Sequence, residues 1–141
     1  KVLDVGCAKG YLVRDLLEQG IDAYGIDISR YALKKADRIV KKRLKYGNAM
    51  KINYKNNFFD AVISINSIHN LKKENCIKAL KEIKRVSKSK CFVQVDCYEN
   101  KKEKKLFLDW VLTAETHGTP KFWKKIFKKA DYKGDWYWTK V

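Results

Sequence analysis

An α/β fold, doubly wound around a mostly parallel sheet with helices on both faces, is what this sequence predicts. Two observations carry the prediction. Short apolar runs alternate with stretches of helical apolar spacing along the chain, and the first run breaks into a glycine corner that opens directly into a helix. Alternation of this kind implies right-handed crossovers between parallel strands.

Taken in order, Val2-Leu3-Asp4-Val5 is a short apolar run stopped by Gly6, the pattern of a buried strand. Beyond Gly10, the residues Leu12, Val13, Leu16 and Leu17 recur at helical spacing, and Gly20 closes the stretch. Residues 23–28 read as a second strand that ends on Asp27 and Ile28. Ser29 is placed to cap a helix carrying Ala32, Leu33, Ala36 and Ile39 on one stripe. Residues 44–47 form a weaker third strand, and "FDAVISI", Phe59–Ile65, a strong fourth. Over 75–86, Ile77, Leu80, Ile83 and Val86 fall on one side of a helix. "CFVQVDC", residues 91–97, is a fifth strand, and 101–113 a helix whose "KKEKK" start is a solvated turn. Thr119-Pro120 supplies a cap and a first-turn proline for a last helix running to about Ala130. The closing "DWYWTKV" reads as a strand, and no repeat, linker or low-complexity segment interrupts the chain.

The 141 residues suit a single domain, 1–141, with an apolar fraction of 45% that is ordinary for a globular chain. No apolar stretch is long enough for a membrane helix, and the first residues carry no signal-peptide pattern. Cys7, Cys76, Cys91 and Cys97 form no C-x-x-C pair and no cluster with histidine, so a metal site is not expected and the thiols read as reduced, as in the cytoplasm. The net charge of +16 suits an anionic partner. Yet only 5 of the 32 basic residues are Arg, and the lysines read as scattered along helix faces rather than gathered in one arm.

In a doubly wound sheet, ligands sit where the strand order reverses, at the carboxyl ends of the strands. That rule singles out the turns after Val5, Ile28, Gly47, Ile65 and Asp96. Asp4-x-Gly6-x-Ala8-x-Gly10 is the first of them, placed between a strand and a helix. Gly6 and Gly10 let backbone approach a ligand, and a helix that starts there offers N–H groups to an anion. Asp27, at the tip of the second strand, is placed to accept from both hydroxyls of a ribose, with Ile28 beside it to press on a base. Corner and acid together point to an adenosine-type site.

"VLDVGCAKGYL", "YGIDIS", "YGNAMKI", "NNFFDAVISINSIHNL" and "ALKEIKRVSKSKCFVQVD" follow in an order and spacing that resembles the class I S-adenosylmethionine-dependent methyltransferases, over residues 1 to about 98. The likeness is greatest to the broad group acting largely on small molecules. It implies a Rossmann-like sheet and S-adenosylmethionine as cofactor, leaving as S-adenosylhomocysteine. By this resemblance Asp4, Gly6, Cys7, Ala8 and Gly10 line the methionine half of the cofactor and Asp27 holds its ribose. Ile28 and Ala49 flank the adenine, Asn48 meets its amino group, and Asn66 lies near the reactive methyl. The family more often has Asp where this chain has Asn48, which weakens that contact without removing it. Relatives also carry one or two helices before the first strand that close over the cofactor, and a second, antiparallel closing strand. Neither is read here, so the sequence is expected to be a fragment of a longer chain.

Methyl transfer asks mainly for alignment, with a general base where the nucleophile carries a proton. The chain has 2 histidines, both predicted on the ligand side. His69 is the candidate base, its alternative a helix anchor; His117, in "ETHGTP", is a candidate substrate contact or a plain loop residue. Asp96 is placed to orient a substrate group or to make a loop contact. Trp123 has the helical spacing of a core aromatic but could also roof a pocket. The Asn/Asp-Pro-Pro-aromatic pattern of base-amino methyltransferases is replaced by "INSIHNL". Three functions stay open: transfer to an O or N atom of a small or medium metabolite, transfer to RNA across a lysine-rich surface, and a non-catalytic cofactor-binding or scaffold subunit.

Overall fold

Val2–Val5 (β1) is a central strand because both of its edges pair. Ala23–Asp27 (β2) joins one side, with Val2 opposite Ala23, and Phe59–Ile65 (β4) the other, with Val2 opposite Ala61. Leu44–Tyr46 (β3) extends the sheet beyond β2; Ser87–Cys97 (β5) and Asp135–Lys140 (β6) extend it beyond β4. In this computed structural model, which describes residues 1–140, the order is β3-β2-β1-β4-β5-β6 and every pairing is parallel. The order reverses between β1 and β4. The closing strand is parallel because a helix carries the chain back across the sheet before it begins. Val141, the last residue of the predicted strand, lies outside the described residues.

Tyr11–Glu18 (α1) packs on β2, followed by Arg30–Lys34 (α2) and Arg38–Lys41 (α3) on the same face. A single helix was expected here, and local capping explains the break. The Ser29 hydroxyl accepts from the Ala32 N–H at 3.1 Å, and Asp37 starts a second helix by accepting from the Ile39 N–H at 2.9 Å. The buried residue is therefore Val40, while Ile39 is exposed. On the opposite face, Lys73–Val86 (α4) lies beside Pro120–Lys129 (α6), whose Thr119 hydroxyl accepts from the Phe122 N–H. Strand β5 starts at Ser87, before the predicted 91, and the "SKSK" opening lacks an apolar alternation because three of its residues lie exposed at the rim. Lys101–Trp110 (α5) follows β5 and is capped reciprocally: Asn100 Oδ1 accepts from the Glu103 N–H and Glu103 accepts from the Glu99 N–H.

The main core lies between the sheet and α4–α6, built on Leu3, Phe59, Val62, Leu80, Ile83 and Ile126. A smaller core of Cys7, Val13 and Ala23 sits under α1. On that face α1–α3 cover only the β1–β3 half, and Ile65 and Tyr137 stay exposed. Trp123 is completely buried, and its indole N–H donates to the Asp96 carbonyl at 3.2 Å. That corrects the pocket-roof expectation, since a side chain with no exposed surface packs the core. No helix among the described residues is long and apolar enough to cross a membrane.

Gly20 ends α1 in the left-handed region at φ +78°, and a Cβ there would meet nothing within 4 Å. Gly20→Ala should therefore cost only the backbone strain, about 1 kcal/mol in a denaturant titration.

Candidate functional site

The corner after β1 is pinned to β2 by backbone alone: the N–H groups of Gly6 and Cys7 both donate to the Ile26 carbonyl, at 2.8 and 3.1 Å. The Gly10 N–H closes the loop on the Cys7 carbonyl at 2.7 Å. Gly6 is required twice over. Its φ is +85°, and a Cβ would fall 1.8 Å from the Ser67 hydroxyl. The corner and the turn after β4 thus touch at the point of reversal, where no side chain fits between them.

Asp27 ties the corner to the next turn. One carboxylate oxygen accepts from the Ala8 N–H and the other from the Ser29 N–H, each at 2.7 Å. These charge-assisted bonds fix the carboxylate at the strand tip and leave further lone pairs for a ligand. Ile28, mostly exposed, stands beside it. Asn48 Oδ1 accepts from the Met50 N–H at 2.9 Å, a short turn in which Nδ2 donates to no group among the described residues.

Between these turns lies a cleft of about 240 Å³, lined among others by Gly6, Asp27, Ile28, Asn48, Ala49 and Ser67. Five of the ten residues expected at the cofactor line it. Asp4, Cys7, Ala8 and Gly10 stand behind or beside it in the corner, and exposed Asn66, at φ +47°, leads into the turn on its rim. Ser67, Asn70, Gly47 and Leu71 line it too. Sequence reasoning did not assign them, although Gly6 was a clue to Ser67: a glycine with no room for a Cβ implies a close neighbour.

Asp4 lies almost wholly buried in β1, and burial first, then the charge of Asp27, raises its pKa to about 7. The folded state therefore holds a proton that the unfolded chain releases near pH 3.8. Its contribution is fully present below that value and is lost as pH rises through about 7. Asp4→Asn should accordingly be more stable than the parent at pH 8, by about 4 kcal/mol, and the two should converge in melting experiments at acidic pH. Burial, with the same two acids, holds the Cys7 thiol far above its ordinary range, which favours its neutral form.

The two other polar candidates meet below the cleft. His69 and Asp96 are both 5% exposed; the Asp96 N–H donates to His69 Nδ1 at 3.4 Å, and the Asp96 carboxylate lies 3.7 Å from the same nitrogen. Burial lowers the His69 pKa, and the Asp96 carboxylate pulls it the other way. Neither residue lines the cleft. Through the Asp96 N–H contact His69 joins the 67–71 turn to β5. Asp96 Oδ1 is buried without a hydrogen-bond partner among the described residues. His117 is half-buried against Phe107, with Nδ1 3.1 Å from the Tyr98 hydroxyl. Among the described residues no three metal-ligating side chains converge.

Residues 3–94 match the family model described as "Methyltransferase domain", which covers more than half of the chain and contains the whole cleft. The chain belongs to the methyltransferase domain family. No curated protein matches it. Among solved structures, a protein of Pyrococcus horikoshii is 31% identical over 64% of this chain and 46% of its own, with a TM-score of 0.59. A complex of the Haloferax volcanii Trm112 methyltransferase activator with a methyltransferase is 20% identical, covering 92% and 59%, at 0.74. The YcgJ protein of Bacillus subtilis is 17% identical, covering 92% and 60%, at 0.73. The last two likenesses are of fold. This methyltransferase domain spans 46–60% of the length of those three chains.

Proposed function

We propose that the chain binds S-adenosylmethionine in the cleft at the strand reversal and transfers its methyl group to an O or N atom of a small or medium metabolite. The observation that carries this reading is the Asp27 carboxylate, held at the strand tip by two backbone N–H groups and facing the cleft of a methyltransferase domain.

The donor set fits the cofactor. An acid at the strand tip suits a ribose diol, the start of α1 offers N–H groups to an amino acid carboxylate, and Ile28 with Ala49 offers apolar surface to a base. Asn48 Nδ2 and its remaining lone pair are available to the edge of that base. When bound, the cofactor supplies a methyl group on a sulfonium, an excellent leaving group. The residues of the chain therefore act chiefly by orientation. His69 and Asp96 would hold the 67–71 turn against β5, and with it Ser67 and Asn70 on the cleft wall. His117 would meet the substrate from the loop before α6. Unbridged cysteines, three of them buried, suit a reducing compartment such as the cytoplasm.

Calorimetric titration with S-adenosylhomocysteine tests the reading. Micromolar binding with one site per chain is expected; a folded chain that takes up none would sink it.

A further inference from the structure

Much of the net charge is gathered in space, although the lysines read as scattered along the sequence. Residues 72–88 and 121–133 hold thirteen basic and three acidic residues, and so carry a net +10 of the formal +16. These two stretches are α4 and α6 with their flanks, and the helices lie side by side on one face of the sheet. At the cleft end Lys73 Nζ stands 5.8 Å from the Phe122 ring; at the far end Lys84 pairs with Asp131. Lys78, Lys81, Lys124, Lys125, Lys128 and Lys129 are all exposed between them. Among the described residues, nine of the thirteen basic groups form no ion pair. On α6 a spacing of three or four residues puts an ammonium about every 4.5–6 Å, and on α4 Lys73, Lys78 and Lys81 follow at five and three residues. The face begins at the cleft rim, where Lys72 follows Leu71.

We propose that this α4–α6 face binds the phosphodiester backbone of a nucleic acid. Charge complementarity gives the polyanion, and two features choose it over an anionic membrane and define how it is held. Neither α4 nor α6 exposes a large apolar side chain, whereas a helix that lies in a lipid interface buries an apolar face there. The one arginine of the face, Arg85, is occupied: its guanidinium donates to Glu82, to the Ile52 and Tyr54 carbonyls and to Asn56. What remains is lysine, a point charge that contacts phosphates but lacks the planar fork that reads base edges. Binding is therefore independent of base sequence and governed by counterion release. It does not depend on the cofactor reading, because no cleft residue contributes to it.

The test is fluorescence anisotropy with short labelled RNA and DNA strands of two unrelated sequences, across about 50–200 mM salt. Affinity should be alike for both sequences and fall at least about tenfold over that range. Reversing Lys78, Lys81, Lys124 and Lys128 together to Glu should weaken binding about thirtyfold or more and flatten the salt dependence. Reversing Lys34, Lys35, Lys41 and Lys42 on the other face changes the net charge equally and should leave affinity within about threefold. Circular dichroism checks that both variants fold. Equal losses in the two variants would overturn the assignment of the face, as would no binding by the parent. Capture by phosphatidylserine vesicles without nucleic-acid binding would replace it with a membrane role.

Discussion

Asp27→Ala is expected to weaken S-adenosylhomocysteine binding at least about a hundredfold, because it removes charge-assisted bonds from both sides of the site. On the protein side, the Ala8 and Ser29 N–H groups lose their shared acceptor, so the glycine corner and the turn after β2 are no longer tied together. On the ligand side, the ribose hydroxyls would lose the one carboxylate that lines the cleft among the described residues. Asp27→Asn separates the two contributions. Its amide oxygen can still accept from one N–H, while its NH2 opposes the other, so it should fall between the parent and the alanine variant. Calorimetry on all three reads the result, with thermal melting as a check on folding. An alanine variant binding within about threefold of the parent would remove Asp27 from the site.

Gly6→Ala should be the more damaging change, since it acts on backbone and packing together. A left-handed φ of +85° costs an alanine about 1–2 kcal/mol, and its Cβ would overlap the Ser67 side chain outright. The corner can yield only by pulling off the Ile26 carbonyl that holds it or by pushing the 67–71 turn away from the cleft. Loss of measurable cofactor binding and a lower melting temperature are expected. Gly6→Ala combined with Ser67→Gly restores the space but not the backbone cost. The pair should regain most of the thermal stability, and failure to do so would place the strain elsewhere than at this contact. Gly20→Ala supplies the comparison, with similar φ and open space around it.

The strands and the corner were legible because their signals are local. "VLDVG" breaks from an apolar run to glycine within five residues, and Asp27 stands at the end of the next apolar run, where the switch-point rule looks for a ligand contact. The split of the second helix was hidden because Asp37 and Ser29 are both competent caps, and only packing decides whether one helix or two results. The depth of His69 was not legible because a position after β4 reveals nothing about burial: the ring is almost wholly buried and faces Asp96. The lysine face was invisible for a different reason. Its two halves are separated by β5 and α5 in the chain, and only the right-handed crossovers bring them together.

The all-parallel sheet also has a consequence for how the chain reaches this state. With no hairpin joining the strands among the described residues, every strand pairing spans an intervening segment; Val2 must find Ala23 across a helix and Ala61 across two further strands of the chain. Such pairings are non-local, so folding is expected in milliseconds to seconds rather than microseconds. During that interval unpaired strand edges are open to the same edges on other copies. A surplus of sixteen positive charges keeps those copies apart. The positive charge that the finished domain carries would thus serve the chain before it is finished, as mutual repulsion during slow assembly.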